Sequence, residues 1–164
     1  MEPIIVERPE LKLIVLHAEQ NGADVRRAWS EIQHQLETHE VNWNNRSIGY
    51  VIVPEWQWAS GVKELWVGVE THSLEHIPER LDTKVIPAGM YMKVRCTGDR
   101  NHMLSIYASI DRWISEHEYE RLSGHGSYSV EANRLQPVNP FQIPADVIEQ
   151  FDYDIYVPVK SLHD

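Results

Sequence analysis

The sequence has a single cysteine, Cys96, among its 164 residues, and this excludes an intrachain disulfide. We interpret Cys96 as a small buried apolar residue, because no evident base lies beside it. Long apolar runs are also missing, since none approaches the roughly 20 residues of a transmembrane helix. The N-terminal segment MEPIIVERPE lacks the basic and then apolar order of a secretory signal. These absences predict a cytoplasmic protein that does not associate with a membrane.

Positive charge is scarce as well. The chain has 15 Lys and Arg residues against 25 Asp and Glu residues, which gives a net charge of -10 with His neutral. A phosphate backbone is bound through clustered Lys and Arg, so we predict no direct binding to nucleic acid. An acidic surface is compatible with a cationic ligand or with a basic regulatory protein partner. The hydrophobic share of 42% is typical of a globular chain, so disorder is excluded.

Motifs for metal binding and catalysis are absent despite the nine histidines. His72 and His76 are four residues apart, but their segment has the composition of a turn after a strand. There is neither an HExxH motif nor a set of cysteine ligands, so we predict no metal site and no cofactor. Ser123 lies in the polar stretch LSGHGS, which lacks the pattern of a nucleophile elbow. No catalytic residue is therefore assigned from motifs.

Apolar spacing predicts two helices. In the first, apolar residues recur every three or four positions at Val25, Ala28, Trp29, Ile32 and Leu36, after a cap at Asn21 or Asp24. The second helix follows a cap at Asp99 or Asn101 and carries a similar stripe through residue 114. Trp29 is assigned to a core between the first helix and a sheet.

The predicted elements occur in one order that is repeated. A strand at 11–16, the first helix, and strands at 47–53 and 62–70 come first. A strand pair or one bent strand at 83–96, the second helix, and strands at 127–131 and 151–160 follow. Each half, about 1–80 and 81–164, is small for independent stability. We therefore predict one α+β domain of two pseudo-symmetric βαββ halves, with antiparallel sheets, helices on one face and a central ligand cleft.

The last predicted strand, residues 151–160 (FDYDIYVPVK), contains an unusual acid. Alternation places Asp154, Tyr156 and Pro158 on one face. Asp is among the poorest strand formers and is rarely buried unless it is paired. Two alternatives stay open from these residues: the Asp154 face meets solvent, or it lines a pocket in which a carboxylate among aromatic rings awaits a cation. Pro158 predicts an edge strand or the last paired position of the strand.

Five segments, in order, resemble a known family. They are LWVGVE (65–70), IPER (77–80), TKVIPAGMYMKV (83–94), IDRWISEHEY (110–119) and DIYVPVK (154–160). The set is similar to the GyrI-like small-molecule binding domain, also called the AraC-type or bacterial transcription activator effector-binding domain. The resemblance covers most of the chain and is clearest from Leu65 onward. Because the predicted elements begin near Leu11, the chain resembles a stand-alone member without a DNA-binding region.

The resemblance implies a cleft that binds hydrophobic and often cationic molecules, with an acid from the closing strand at its base and aromatic walls. The family's closing-strand Glu is replaced here by Asp154, which is one methylene shorter. The strand after the second helix usually carries another acid, for which Glu131 is the candidate. The predicted ligand-binding residues are Asp154, Glu131, Tyr50, Trp66, Tyr91, Trp113, Tyr119 and Tyr156. Trp43, Trp56 and Trp58 are assigned to a lid or a contact surface, and the two alternatives stay open.

A carboxylate in an apolar pocket is costly to ionise, and a cationic ligand reverses that cost. Most of the affinity has to come from apolar surface, so a bulky lipophilic cation is favoured. The predicted function is a small-molecule binding module, acting as a sensor or a sequestering protein rather than an enzyme. Two alternatives remain: an inhibitor of the DNA gyrase type, and a hydrolase of electrophilic small molecules in which Asp154 or Glu131 activates water. A closed cleft with one acid favours binding, and two converging carboxylates favour hydrolysis.

Overall fold

The computed structural model describes residues 1–163, which form nine strands, two α-helices and two short 3-10 helices. The helices are α1 (Gly22–Thr38) and α2 (Arg100–Glu116). The strands are β1 (Ile4–Arg8), β2 (Leu11–Glu19), β3 (Ile48–Pro54), β4 (Glu64–Glu70), β5 (Asp82–Ile86), β6 (Gly89–Gly98), β7 (Tyr119–Arg121), β8 (Tyr128–Arg134) and β9 (Phe151–Ser161). The predicted α+β fold class is confirmed.

Both helices begin at the predicted type of cap. The Asn21 side chain accepts a hydrogen bond from the Asp24 backbone N–H at 2.7 Å, and Asp99 accepts one from the His102 N–H at 2.9 Å. The apolar stripe of α1 packs on the sheet, and Trp29 is buried there with its ring stacked on Phe141 at a centroid distance of 4.5 Å. The prediction of Trp29 as a core residue is confirmed.

The strands form one antiparallel sheet in the order β1-β6-β9-β8-β3-β4-β2-β5, and β7 pairs with β9. The β8–β3 pairing lies at the centre; the second half of the chain supplies β8, β9 and β6 on one side of it, and the first half supplies β3, β4 and β2 on the other. The two outermost strands are exchanged. β1 belongs to the first half but pairs with β6 of the second, whereas β5 belongs to the second half but pairs with β2 of the first. The pseudo-symmetric arrangement is thereby confirmed in its topology.

One prediction about strands is wrong and another is confirmed in one of its alternatives. The elements do not begin near Leu11, because β1 precedes it; this five-residue edge strand is too short for a clear apolar pattern. Pro158 does not mark an edge strand, since β9 lies between β6 and β8, but it is the last residue of β9 that pairs with β6, opposite Tyr91. Its pairing with β8 ends at Tyr156, and its pairing with β7 begins at Val159. The proline, which has no N–H to donate, occupies the interval between those two partners.

The sheet has two buried faces. The helix face, on which α1 and α2 pack, carries residues such as Val51, Val67, Met92, Val94 and Ile155. The other, termed the inner face, carries a second apolar cluster that contains no helix residue: Leu11, Leu13, Val15, Tyr50, Ile52, Ile86, Val130 and Ala132. Since these side chains are buried without a covering helix, we infer that the sheet curls around them.

Cys96 is fully buried on the helix face, which confirms its interpretation as an apolar core residue.

Neither α-helix in the described part of the chain is long and apolar enough to cross a lipid bilayer.

Candidate functional site

The curled sheet divides the eight predicted ligand-binding residues between its two faces. The inner face carries Tyr50, Trp66, Tyr91, Asp154 and Tyr156, whereas Glu131, Trp113 and Tyr119 lie on the side of the helices. The division follows from strand alternation, because side chains of odd and even positions point to opposite faces. No single cleft collects all eight residues, and ligand binding by each of them stays a prediction.

Three tyrosines meet on the inner face and are termed the tyrosine cluster: Tyr50, Tyr91 and Tyr156. The rings of Tyr91 and Tyr156 pack edge to face, with centroids 6.3 Å apart. The Tyr50 hydroxyl donates to Glu70 Oε2 at 3.4 Å. Burial raises the pKa of Tyr50 and that of Tyr91, so both phenols stay neutral and present aromatic faces rather than charge.

Asp154 is already paired within the chain. Arg134 Nη2 donates to both of its carboxylate oxygens, at 3.2 and 3.0 Å, and Lys93 Nζ lies 4.0 Å away. Arg134 Nη1 also donates to Asp152 at 3.0 Å, and Arg95 makes two further bonds of 3.0 Å to Asp152. The negative charge of Asp154 is therefore compensated by neighbouring side chains, and it does not stand free for a ligand cation.

The inner-face rings also carry cations from the chain itself. The Arg8 guanidinium lies 4.1 Å from the centre of the Tyr156 ring. Lys84 Nζ lies 4.0 Å from the centre of Trp66 and 4.6 Å from that of Tyr128. Arg8 and Lys84 come from β1 and β5, the two edge strands. At the two ends of the sheet, aromatic faces that favour a cation are thus occupied by internal ones.

On the helix face, a cavity of about 220 Å³ lies between the N-terminus of α1, the side of α2 and the segment 140–153; we term it the acid cleft. Its lining is mostly apolar and contains one carboxylate. The lining residues are Gln20, Asn21, Gly22, Val25, Arg26, Val51, Leu65, Met103, Glu131, Asn133, Pro140, Phe141, Ile148, Phe151 and Tyr153.

Glu131 is the acid of this cleft. It lies in β8 opposite Val51 and keeps partial solvent access, although protein atoms enclose it closely. The Tyr107 hydroxyl donates to Glu131 Oε2 at 2.5 Å, and the hydroxyls of Tyr107 and Tyr153 are 2.9 Å apart. Burial raises the pKa of Glu131, and the bond from Tyr107 opposes that rise. No Lys, Arg or His among residues 1–163 forms an ion pair with Glu131.

The two tyrosines beside Glu131 are held as neutral donors. Burial, and then the charge of Glu131, raise the pKa of Tyr107 and that of Tyr153 well above the usual tyrosine value. Trp58 packs against Tyr107 with ring centroids 6.0 Å apart. This places a tryptophan beside the phenol that donates to the acid.

Arg26 adds a positive charge to the lining of the acid cleft. Its Nη1 donates to the Gly22 carbonyl at 3.0 Å, its Nη2 to the Pro140 carbonyl at 3.3 Å, and its Nε to the Ile143 carbonyl. Burial, and then the charge of Arg100, lower the pKa of Arg26. The lining thus combines one carboxylate, Glu131, with Arg26 and the positive N-terminus of α1.

The remaining predicted aromatic residues lie outside the acid cleft. Trp113 stacks on His117 at 4.0 Å and packs with Tyr119 against the core beneath α2. Of the three loop tryptophans, Trp43 is buried in the core beneath α1, and Trp56 stacks on His125 at 5.1 Å.

Tyr107 and Tyr153 are functional candidates that sequence patterns missed. Tyr107 falls in the apolar stripe of α2, where an aromatic residue is usually core. Tyr153 alternates with Ile155 on the face opposite Asp154. The sequence feature that could have indicated Tyr153 is the pairing of β8 with β9, because their antiparallel register brings Glu131 and Tyr153 to the same side of the sheet.

The profile of the GyrI-like small molecule binding domain matches residues 1–160. No curated protein matches the chain by sequence.

Three solved structures share the fold. The EcmrR C-terminal domain superposes with a TM-score of 0.73 at 12% identity, covering 98% of this chain and 98% of that domain. SAV2435, whose structure contains tetraphenylphosphonium, superposes with a TM-score of 0.60 at 14% identity, covering 99% of this chain and 96% of that one. A hydrolase from Listeria innocua superposes with a TM-score of 0.60 at 10% identity, covering 97% and 92%. At these identities, the likeness shows the fold alone.

Proposed function

Because the chain belongs to the GyrI-like small molecule binding domain family, we propose that it binds a lipophilic small molecule in the acid cleft, with a cation favoured. The observation that carries this proposal is Glu131, an enclosed carboxyl group that has a phenol donor but no cationic partner in the described chain. Ionising such a group without a counter-charge is costly. An ammonium group of the ligand, placed beside Glu131, would offset that cost.

The size of the acid cleft limits what enters it. An apolar cavity of about 150 Å³ holds one benzene ring, so about 220 Å³ accommodates one ring and an attached amino group. Burying about 150 Å² of ring surface stabilises the complex by about 4 kcal/mol. A charged hydrogen bond to Glu131 adds about 1.5–3 kcal/mol. A larger lipophilic cation would place one ring in the cleft and the rest outside it.

The polarity of the acid cleft sets the orientation of the ligand. Arg26 and the N-terminus of α1 repel a cation, whereas Glu131 attracts it. The ammonium group would therefore lie at the Glu131 end, with its ring between Met103 and Phe141 along the apolar wall.

Two solved structures support the proposed class of ligand and the proposed role. SAV2435 was crystallised with tetraphenylphosphonium, which is a lipophilic cation. EcmrR, whose C-terminal domain has the same fold, has been solved in a complex with DNA. By analogy with these proteins, the role proposed for this chain is that of a sensor or a sequestering protein.

The composition of the acid cleft favours binding over hydrolysis. Glu131 is the single carboxylate among its described lining residues, and Asp154 lies on the other face of the sheet. A hydrolytic pair of acids converging on one water would need both on the same side. The proposed function is therefore binding rather than turnover.

The test compares phenethylammonium with phenethyl alcohol, two ligands of matched size that differ in charge. Binding is followed by quenching of tryptophan fluorescence and by calorimetry at pH 7. Glu131→Gln is expected to weaken the ammonium ligand at least tenfold and to leave the alcohol unchanged, because only the ion pair is removed.

Asp154→Asn is the matched control, since it changes an acid of the inner face. It is expected to leave both affinities unchanged. An equal loss of both ligands in Glu131→Gln would overturn the ion pair, and a loss confined to Asp154→Asn would move the site to the inner face.

A further inference from the structure

Arg8 is a partly buried cation without a counter-charge. It is the last residue of β1, and its guanidinium lies 4.1 Å from the centre of the Tyr156 ring. Its Nη1 is buried and has no hydrogen-bond partner. Within residues 1–163, no carboxylate forms an ion pair with it. A buried polar atom left without a partner is uncommon and costs free energy.

The surroundings of Arg8 have the composition of an aromatic cation site. Besides Tyr156, the other two members of the tyrosine cluster, Tyr50 and Tyr91, are near Arg8. Burial raises the pKa of Tyr50 and that of Tyr91, and the positive charge of Arg8 acts against both rises. A delocalised cation on the face of one ring and beside two further phenols is the arrangement by which aromatic cages hold cationic ligands.

We propose that the tyrosine cluster is a second ligand site, for a planar cation such as an amidinium or a guanidinium, and that Arg8 is its internal occupant. An external cation enters when the Arg8 side chain leaves the Tyr156 ring. When the Arg8 side chain leaves the ring, its Nη1 is exposed to water and forms hydrogen bonds there. This gain offsets part of the free energy that is needed to displace Arg8. The site lies on the face of the sheet opposite the acid cleft and does not depend on Glu131.

The position of Arg8 in the sheet allows this exchange. β1 is an edge strand that pairs with β6 alone, and Arg8 stands opposite Gly89, which has no side chain to block rotation. The side chain can therefore turn outward without breaking the strand ladder. Lys93 Nζ remains 5.7 Å from the centre of the same ring, so the site suits a ligand with one positive charge.

The experiment measures binding of 4-fluorobenzamidinium and of neutral 4-fluorobenzamide by ¹⁹F NMR. In Arg8→Ala, the amidinium is expected to bind at least tenfold more tightly than in the wild type, with the amide unchanged. Arg8→Met, which keeps an apolar stem and removes the charge, carries the same expectation if Arg8→Ala does not fold. An unchanged amidinium affinity in the folded variant would overturn the proposal.

Further variants identify the site that gains affinity. Tyr156→Leu in the Arg8→Ala background should abolish the gain, because the ring that holds the cation is removed. Arg8→Lys keeps a cation in place and should show no gain, as should Arg112→Ala on the exposed side of α2. Glu131→Gln combined with Arg8→Ala should retain the gain, and its loss there would place the new binding in the acid cleft instead.

Discussion

Arg121 donates two nearly parallel hydrogen bonds to the carboxylate of Glu55, from Nε to Oε2 at 2.7 Å and from Nη2 to Oε1 at 2.9 Å. Glu55 follows β3 in the first half of the chain, and Arg121 ends β7 in the second. Ser129 also donates to Glu55, and Asp111 accepts from Arg121 Nη1 at 2.8 Å. The Glu55 side chain is 0% exposed, so a buried charged network joins the two halves.

Removing Arg121 should be strongly destabilising. In Arg121→Met, Glu55 keeps only the hydroxyl of Ser129 and remains buried with an uncompensated charge. The expected loss is about 3–5 kcal/mol in the free energy of unfolding, because the cost of desolvating the carboxylate is no longer repaid. Urea unfolding at pH 7 measures it.

Arg112→Met is the matched control for that experiment. The Arg112 side chain is 75% exposed, and its Nε lies 3.9 Å from Glu116 Oε1. Its replacement should therefore change the free energy of unfolding by less than about 0.5 kcal/mol. Equal losses in the two variants would contradict a special role for the Glu55–Arg121 pair. Combining Glu55→Leu with Arg121→Met should restore much of the stability, because both buried charges are then removed.

Glu131 should make stability depend on pH in an identifiable direction. Burial raises its pKa above the ordinary value of 4.5, so the folded protein holds this proton more tightly than the unfolded chain does. The contribution of Glu131 to the free energy of unfolding is therefore greatest below pH 4.5 and falls as pH rises through the raised pKa. Glu131→Gln should lack this contribution and should gain stability relative to the wild type as pH rises.

The measurement is the difference in unfolding free energy between the wild type and Glu131→Gln, taken across about pH 4 to pH 8. The difference isolates the one carboxyl group from all others that titrate. A difference that stays constant with pH would contradict the raised pKa of Glu131. A difference of the opposite slope would show that its pKa is lowered instead.

Tyr107 should support Glu131 through one hydrogen bond. Tyr107→Phe removes the 2.5 Å donor and is expected to cost about 1.5–3 kcal/mol of stability at neutral pH. It should also raise the pKa of Glu131 further, because that bond opposes the effect of burial. Carboxyl ¹³C chemical shifts report this pKa directly. Tyr119→Phe, on the strand β7 outside the cleft, serves as the control and should leave the pKa of Glu131 unchanged.

Gly68 is required where β4 pairs with β2, opposite Val15. A Cβ at this position would lie 2.6 Å from the Ile14 carbonyl oxygen and 2.7 Å from a methyl carbon of Val15. Gly68→Ala should therefore destabilise the protein by about 1–3 kcal/mol, since a backbone atom cannot move aside without shifting a strand. Gly124→Ala is the control, because no atom lies within 4 Å of its added Cβ. Thermal unfolding of both variants checks the difference.

Apolar periodicity predicted the helices, most strands and the repeated order of elements, because these depend on local spacing. The site was less accessible to such reasoning. In β8, Val130 and Ala132 alternate with Glu131, a pattern that usually places the acid toward solvent. Here both faces of the curled sheet are buried, so alternation identifies two sides without telling which of them holds the cavity.

The charges that neutralise Asp154 and cover Tyr156 could not be predicted either. Arg134 and Arg8 are distant from the closing strand in sequence and reach it only through the pairing of β8 with β9 and of β1 with β6. A sequence shows that a carboxylate stands among aromatic residues, but its partners depend on strand register.

Because β1 and β5 are exchanged, each half of the chain supplies an edge strand to the sheet of the other half. Each half gives its first strand to the other, so a chain cut between β4 and β5 would leave both pieces with a strand whose partner is on the other piece. Such fragments are complementary parts of one unit, as in domain swapping, but the swap takes place inside a single chain. The duplicated architecture therefore describes how the molecule is arranged, although neither half contains every strand that its own sheet uses.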